Sequence, residues 1–472
     1  MSDGALGNAH ADVSATLSAH HANAATTDES RPADRGARAA RPWRNWARTE
    51  QATPARVERP ASGDEVVDAI ARARTQGLPV KAVGSGHSFA GIAVAPGVQL
   101  DLTDLAGITA IDESAGLVTL AAGTKLHDAS ALLHEHGLAF ENLGDIDVQS
   151  LSGAVSTGTH GTGRAFGGLA TQLRRATLAT ADGQLLPISA TENAELWPAA
   201  RLGLGALGVL VDLTVQTVPT FVLAADEHPE PLDGVLDDWP NRSSQADHVE
   251  FYWFPHTRLA LTRHNTRLPA DAPRQPVGRV KRWLDDDLLG NGLYEVLCRI
   301  GSIAPGTIPG FNRLASGVAF TRQAADYSHR VFASERTVRF REMEYSVPLD
   351  AVAPVMRELD RVIEQNGWRI SFPIEVRATA ADDVWLSTAH GRESSYIAVH
   401  RYHREDAHDY FAAAEHILRA HDGRPHWGKL HTRSVADLRP AYPHFDDFLA
   451  VRDRLDPDRV FTNDYLDRVL GR

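Results

Sequence analysis

Val83-Gly84-Ser85-Gly86-His87-Ser88-Phe89 is the stretch whose reading decides the fold. It follows a short, mostly apolar run, Leu78 to Val83, and its glycines and small hydroxyl residues let backbone N–H groups approach an anion. That is the chemistry of a diphosphate cradle. Such loops serve nucleotide triphosphatases, dinucleotide dehydrogenases and flavoproteins alike, so spacing has to separate them. Gly84 to Phe89 lacks the Lys-Ser/Thr of a P-loop, and Phe89 stands where GxGxxG needs its third glycine. A second stretch of the same texture, Gly144 to Gly163, reads GDIDVQSLSGAVSTGTHGTG.

Around these loops, strand and helix patterns alternate. Ser62 with Glu65 forms a capping-box pattern, Val66, Val67, Ile70 and Ala73 recur at helical spacing, and Gly77 ends the helix. Short β-prone runs follow at Val98 to Leu102 and Leu117 to Ala121, then a helix from Lys125 to about His136. Beyond the second loop, Ala176 to Thr180 and Gln184 to Ile188 read as a hairpin turned by Ala181-Asp182-Gly183. A third run, Gly203 to Gly208, matches GxGxxG letter for letter, but a helix-like segment precedes it and the β-branched Val209 to Val218 follows. The dinucleotide fingerprint requires the opposite order.

From about residue 221 the strands are longer and carry aromatic and charged residues: His248 to Phe254, Leu259 to His264, Val338 to Val347, Arg369 to Ala378 and Ser395 to Tyr402. Two amphipathic helices, Ala351 to Gln365 and Ala407 to Arg419, accompany this second sheet. Residues 270 to 335 read as an irregular, partly helical insertion. The tail, His426 to Arg472, is rich in aromatics and is predicted to fold back onto the first domain. Residues 1 to 40 contain no Phe, Trp, Tyr or Ile and read as a disordered extension.

Composition narrows the function. In 472 residues, 43% are hydrophobic and 23% charged, which is ordinary globular composition, and the net charge of −13 argues against a nucleic-acid or anionic-membrane surface. A small ligand is expected. The single cysteine, Cys298, excludes a disulfide framework and fits a reducing compartment, so a cytoplasmic location is expected. No run reaches the length of a membrane span. The histidines at 400, 403, 426 and 431 lack cysteine partners or a helical HExxH, and no metal site is expected.

Six motifs together resemble the vanillyl-alcohol-oxidase-type (PCMH-type) FAD family: AVGSGHSF, SGAVSTGTHGTG, LGLGALGV, FPIEVR, RPHWGK and DPDRVFTNDY. Within it, the chain from about Trp43 onward is similar to the aldonolactone oxidoreductases, the branch of L-gulono-1,4-lactone dehydrogenases and D-arabinono-1,4-lactone oxidases. The resemblance implies an α+β protein, with a two-subdomain PCMH-type FAD-binding domain over 41–220 and a mixed sheet-and-helix substrate or cap domain over 221–425. The segment 426–472 would return to the FAD domain. It also implies that FAD is held by Gly84, Ser85, Gly86, His87, Ser88, Gly144, Asp145, Ser150, Gly153, Ser156, Thr157, Gly158, His160, Gly161, Gly163, Gly208 and Val209. His87 is the residue such proteins often join covalently to the flavin; read without the resemblance, it equally suits a loop hydrogen bond. His160 is assigned to cofactor contact only, without a catalytic role.

Glu375 and Arg377 share a strand face, so carboxylate and guanidinium point together, whether into a site or into a surface ion pair. His400 and Tyr402 share a face likewise, and Lys429 stands where the family has a substrate-facing lysine. The resemblance implies oxidation of a secondary alcohol of a sugar lactone, the electrons passing from flavin to oxygen or another acceptor. Arg377 and Lys429 would stabilise alkoxide character, Glu375 would orient hydroxyls, and His400 would accept the proton. Tyr402, where alditol oxidases carry threonine, is expected to narrow the pocket against an open-chain alditol. An alditol or oligosaccharide oxidase of the same fold, a non-catalytic flavin-binding protein and an NAD-linked dehydrogenase are the alternatives.

Overall fold

The computed structural model describes residues 42–277, 292–318, 321–334 and 337–472; the expected extension, 1–40, lies outside the described residues. The Ser62 hydroxyl caps the helix Gly63–Thr75 by accepting from the Glu65 amide, while the Glu65 carboxylate accepts from Ala61, one residue before the cap. Val66, Ala69, Ile70 and Ala73 face inward from this helix. The strand Val80–Val83 then pairs in parallel with Val98–Asp101, itself parallel to Arg56–Glu58. Gly84 therefore leaves the carboxyl end of a parallel strand, the usual place for a ligand in an open α/β sheet.

A second, antiparallel sheet runs in the order Leu185–Ser189, Leu173–Ala179, Val209–Pro219, Leu117–Ala121, Ile108–Asp112, with Leu138–Phe140 also paired to Val209–Pro219. The Gly203 to Gly208 run enters this sheet from the helical turn Trp197–Ala200, so helix precedes and strand follows, as the sequence indicated. Its last glycine has a packing reason. A Cβ on Gly208 would lie 2.6 Å from the Ala179 carbonyl oxygen and 2.7 Å from Leu178 Cγ. Gly208→Ala is accordingly expected to cost about 2 kcal/mol of stability. Thermal unfolding checks this, and an unchanged Tm would contradict it.

The third sheet has eight antiparallel strands in the order Arg322–Tyr327, Val222–Pro231, Leu259–Leu268, His248–Trp253, Ile374–Thr379, Ser394–Tyr402, Phe340–Pro348, Arg424–Pro425. Successive residues of a strand point to opposite faces. Phe251, Trp253, Met343, Tyr345, Ile374, Val376, Ile397 and Val399 form one apolar core with the helices Val352–Gln365 and His408–Ala420. The alternate positions, Glu250, Glu342, Glu344, Glu375, Arg377 and His400, are also buried, on the face away from those helices. The sheet thus has an apolar face that packs and an ionisable face.

Four parts depart from the sequence reading. The second glycine stretch contains a short helix, Leu151–Thr157, capped by Ser150 and buried through Leu151, Ala154 and Val155, with Gly158 closing it at φ +80. The strands Ile108–Asp112 and Val222–Pro231 escaped notice, the first because it is half exposed and the second because it carries Asp226, Glu227, Pro229 and Pro231. In the 270–335 region, the helices Tyr294–Ile303 and Ile308–Val318 lead to the edge strand Arg322–Tyr327.

The tail packs against the first segment. The Val80 amide donates to the Val460 carbonyl at 2.7 Å, and Asn463 Nδ2 donates to the carbonyls of Gly91, Ile92 and Val94. Phe445, Phe448, Phe461, Tyr465 and Trp427 join the core built on Val66, Leu100 and Leu120.

Candidate active site

A cavity of about 490 Å³ opens along the two glycine loops. Of the residues predicted to hold a cofactor, it is lined by Gly84, Ser85, Gly86, His87, Ser88, Ser150, Gly153, Ser156, Thr157, Gly208 and Val209. The loops are tied to each other: the Ser85 hydroxyl donates to the Val148 carbonyl, and a Cβ on Gly84 would overlap Ser150 Oγ. Lys81 and Lys125 bring amino groups to the same cavity, and the hydroxyls of Ser150, Ser152 and Ser156 supply neutral donors. Burial, aided by the nearby Arg452 and against the pull of Asp456, lowers the Lys81 ammonium to about 7. A cleft lined by glycine backbone, hydroxyls, amino groups and an imidazole fits a dinucleotide cofactor.

The remaining predicted cofactor residues have other work. Gly144, Gly158, His160, Gly161 and Gly163 line neither this cavity nor the smaller one described below. A Cβ on Gly144 would lie 3.1 Å from the His160 carbonyl, Gly161 lies against the Leu143 carbonyl, and the Gly163 amide donates to Ala378 on the third sheet. These glycines permit close packing between chain segments. His160 stacks on Tyr396 at 3.5 Å, its Nδ1 bonds the Gly161 carbonyl, and its Nε2 lies 3.3 Å from Glu344. It is a buried structural partner rather than part of the cavity wall. Asp145 pairs with Arg377 at 3.2 Å.

His87 lies where the large cavity meets a second one of about 30 Å³, which Lys429, Gly428, His426, Ile146 and Trp46 also line. The indole of Trp46 stacks on the imidazole at 5.6 Å between centroids. Burial, reinforced by the charges of Lys429 and Lys125, brings His87 down to about 4, so its ring is neutral at physiological pH. The Phe89 amide donates to the Gly428 carbonyl at 2.6 Å, which fixes Lys429 beside the first loop.

From Lys429 the ionisable face of the third sheet continues without a break. Lys429 Nζ is 2.5 Å from Glu342 Oε2, and Glu342 Oε1 is 3.7 Å from His400 Nε2. Glu342, His400 and Glu375 have ligand atoms within 4.8 Å of one another. Glu375 lies 2.5 Å from Arg377, whose Nε also donates to Glu250 at 2.9 Å. Burial opposes the charge on Arg377, but Asp145, Glu375 and Glu250 together hold its guanidinium well above the ordinary range. Burial likewise opposes the Lys429 ammonium, and the charges of Glu342 and Glu344 raise it. Cross-strand register explains the pairs, since Glu250 stands opposite Arg377 and Glu342 opposite His400.

Sequence reasoning missed Glu250, Glu342 and Glu344. The signal was available: Glu342-Met343-Glu344 puts two carboxylates on one face of an apolar strand, as Glu375 and Arg377 do. The expectation for Tyr402 is not met as stated. Like Glu375, Arg377 and His400 it lines neither cavity, and it is set apart from them by its partners: its hydroxyl donates to Glu295 at 2.6 Å and its ring stacks on Phe372, which packs against His400. Among the described residues, three groups gather metal-type ligand atoms: His160, Glu344 and His426; Glu342, Glu375 and His400; and His228, Glu230 and His264. Lys429 faces both Glu342 and Glu344, and Arg242 pairs with Glu230, so a resident cation competes with a metal ion at each.

The parallel sheet with its glycine loop, the cleft and the imidazole define an FAD-binding oxidoreductase, and comparison with known proteins agrees. Residues 54–189 match the FAD binding domain family, and residues 213–469 match the D-arabinono-1,4-lactone oxidase family. The chain belongs to the D-arabinono-1,4-lactone oxidase family. It is 41% identical over 429 residues to L-gulono-1,4-lactone dehydrogenase of Mycobacterium tuberculosis (strain ATCC 25618 / H37Rv), covering 91% of this chain and 99% of that one. It is 34% identical to L-gulonolactone oxidase of Bos taurus, covering 90% and 98%. Cholesterol oxidase from Brevibacterium sterolicum shares the fold, with a TM-score of 0.76 at 18% identity over 91% of this chain and 96% of that one. Among the described residues, no helix is long and apolar enough to cross a membrane.

Proposed function

We propose that the protein oxidises a secondary hydroxyl of an aldono-1,4-lactone of the L-gulono or D-arabinono type, the hydroxyl being the one next to the lactone carbonyl. The observation that carries this reading is the continuity of Lys429, Glu342, His400, Glu375 and Arg377 with the loop that bears His87. FAD, when bound along the glycine loops, supplies the two-electron acceptor for the hydride. Lys429, on the cavity wall, stabilises negative charge developing on the substrate oxygen, and Arg377 adds positive field from behind while fixing Glu375. Glu375 orients the remaining hydroxyls. His400 takes the hydroxyl proton: its Nδ1 bonds the Pro373 carbonyl at 2.8 Å, which sets the Nδ1–H tautomer and leaves the Nε2 lone pair as acceptor.

Assaying L-gulono-1,4-lactone, D-arabinono-1,4-lactone, xylitol and sorbitol, each with oxygen and with an artificial acceptor, tests the substrate. Lactones are expected to turn over faster under at least one condition; faster turnover of the alditols under both would overturn the assignment. The same assays decide whether oxygen or another acceptor takes the electrons.

The flavin is joined covalently to His87, in this reading, because a neutral imidazole is the nucleophile such a bond requires and His87 lies at the cofactor end nearest Lys429. Acid precipitation should carry yellow flavin into the protein pellet, and His87→Ala should shift it to the supernatant without loss of fold. Flavin wholly in the supernatant from the unaltered protein would refute the link. Cys298, buried and with its thiol pushed up to about 12 chiefly by burial, suits a reducing cytoplasm.

A further inference from the structure

Glu342 is one of the most deeply buried carboxylates on the ionisable face, and no step described so far uses it. Its two oxygens are divided between two functional groups. Oε2 is 2.5 Å from Lys429 Nζ, and Oε1 is 3.7 Å from His400 Nε2. The division is built into the backbone: Glu342 stands directly opposite His400 in the antiparallel register, and the Leu430 amide donates to the Glu342 carbonyl at 3.0 Å. Lys429 is therefore anchored to residue 342 through both its own side chain and its neighbour's main chain.

We propose that Glu342 is the positioning residue of the oxidation site, holding the cation Lys429 and the proton acceptor His400 as one unit and stabilising the proton that His400 receives. The proposal rests on the alcohol-oxidation reading given above. In the step it concerns, the substrate O–H bond breaks, its proton binds His400 Nε2, and the C–H bond gives its hydride, with both electrons, to the flavin. The imidazolium so formed faces the Glu342 carboxylate, and the charge of the pair falls to zero. Without that carboxylate, a new cation would arise in a buried site beside Lys429.

The surrounding charges give the test its sign. His400 faces Glu342, Glu375 and the Pro373 carbonyl, between the rings of Phe340 and Phe372; Lys429 faces Glu342, Glu344 and, further off, Asp145, with the Phe89 ring 5.1 Å away. Glu344 is in turn engaged by His160, and His426 lies near it. Burial lowers the affinity of His400 for a proton, and the Glu342 carboxylate 3.7 Å away, with Glu375 and the Pro373 carbonyl, more than reverses this, so its titration is raised. Replacing the Glu342 carboxylate by an amide removes the largest part of that reversal. The acid limb of the rate profile, where His400 becomes protonated and cannot accept, should move to lower pH. The basic limb, where Lys429 loses its charge, should move the same way. The plateau should fall, because a weaker base accepts the proton less readily.

Stopped-flow flavin reduction by L-gulono-1,4-lactone across pH, in the full-length holoprotein, is the measurement. Glu342→Gln is expected to lower the plateau by about 10- to 10²-fold, the range of general-base effects, and to move both limbs to lower pH. Glu342→Asp, which keeps the charge, should leave the limbs near their original positions even where shorter reach slows the rate. Limbs unmoved in Glu342→Gln, or moved as far in Glu342→Asp, would overturn the proposal; if Glu342→Gln does not fold, a His400 ring that titrates at or below the ordinary histidine value in the unaltered protein would overturn it. A substrate-free readout separates this from failure of the lactone reading. In ¹⁵N-histidine-labelled protein, with His400 assigned by a His400→Asn variant, the His400 ring should titrate at lower pH in Glu342→Gln than in the unaltered protein. If no lactone reduces the flavin, the substrate assignment falls, and this titration still supports or refutes the Glu342–His400 coupling.

Discussion

Arg377→Ala is expected to slow flavin reduction by about 10²-fold, because it removes the positive field behind the developing oxyanion and releases Glu375. Stability should fall with it. Glu250, Glu375 and Asp145 all converge on this guanidinium, and Arg377 and two of its partners, Glu250 and Glu375, are among the most buried charged residues of the described chain. Removing one member of a buried ion pair costs about 3–5 kcal/mol, because the partner's charge stays behind without compensation. Denaturant unfolding and stopped-flow reduction must therefore be read together. Arg377→Lys separates the two effects: it restores a cation for the carboxylates but not the planar fork, so it should recover more stability than rate. Near-normal reduction in Arg377→Ala would remove Arg377 from the site altogether.

Lys429→Ala should slow reduction by a similar factor of about 10², with a smaller loss of stability, since among the described residues Glu342 alone forms an ion pair with it. A second consequence distinguishes it from a general weakening. Lys429 is one of the charges that keep His87 neutral, so its removal should let the free imidazole of the unflavinylated protein titrate at higher pH. The effect on rate is measured in stopped flow and the effect on His87 in histidine NMR. Full-speed reduction in Lys429→Ala would assign the cation role to another group.

Much of this was legible in the chain because the relevant signals are local. The first loop could be read from Leu78 to Phe89, since a strand pattern and a glycine pattern adjoin. The reversed order around Gly203 to Gly208 was equally readable, and the structure agrees on what precedes and follows it. Glu375 and Arg377 were found because alternation within one strand is a property of sequence. Their partners were not, because Glu250 reaches them only through strand pairing and Asp145 only through the packing of the second glycine loop against the third sheet. The glycines of the second loop were over-assigned for a related reason. Composition shows that a glycine is needed, but not whether a ligand or another stretch of backbone comes close, and at Gly144, Gly161 and Gly163 it is backbone. Tyr402 was placed on the correct strand and face, while its distance from the cavity depended on Phe372 and Glu295, remote in sequence.

The way the tail closes the first segment has a consequence for how the protein is made. Val80, at the start of the strand leading to the glycine loop, is bonded to Val460, and Phe89, two residues past His87, is bonded to Gly428. A ribosome completes the glycine loops hundreds of residues before it reaches these partners. The emerging polypeptide thus carries a cradle whose far wall has not yet been synthesised, and His87 waits without Lys429 beside it. Cofactor capture in its final geometry, and any bond to His87, must follow release of the C-terminal segment, so flavin supplied after translation should load the protein as well as flavin present throughout.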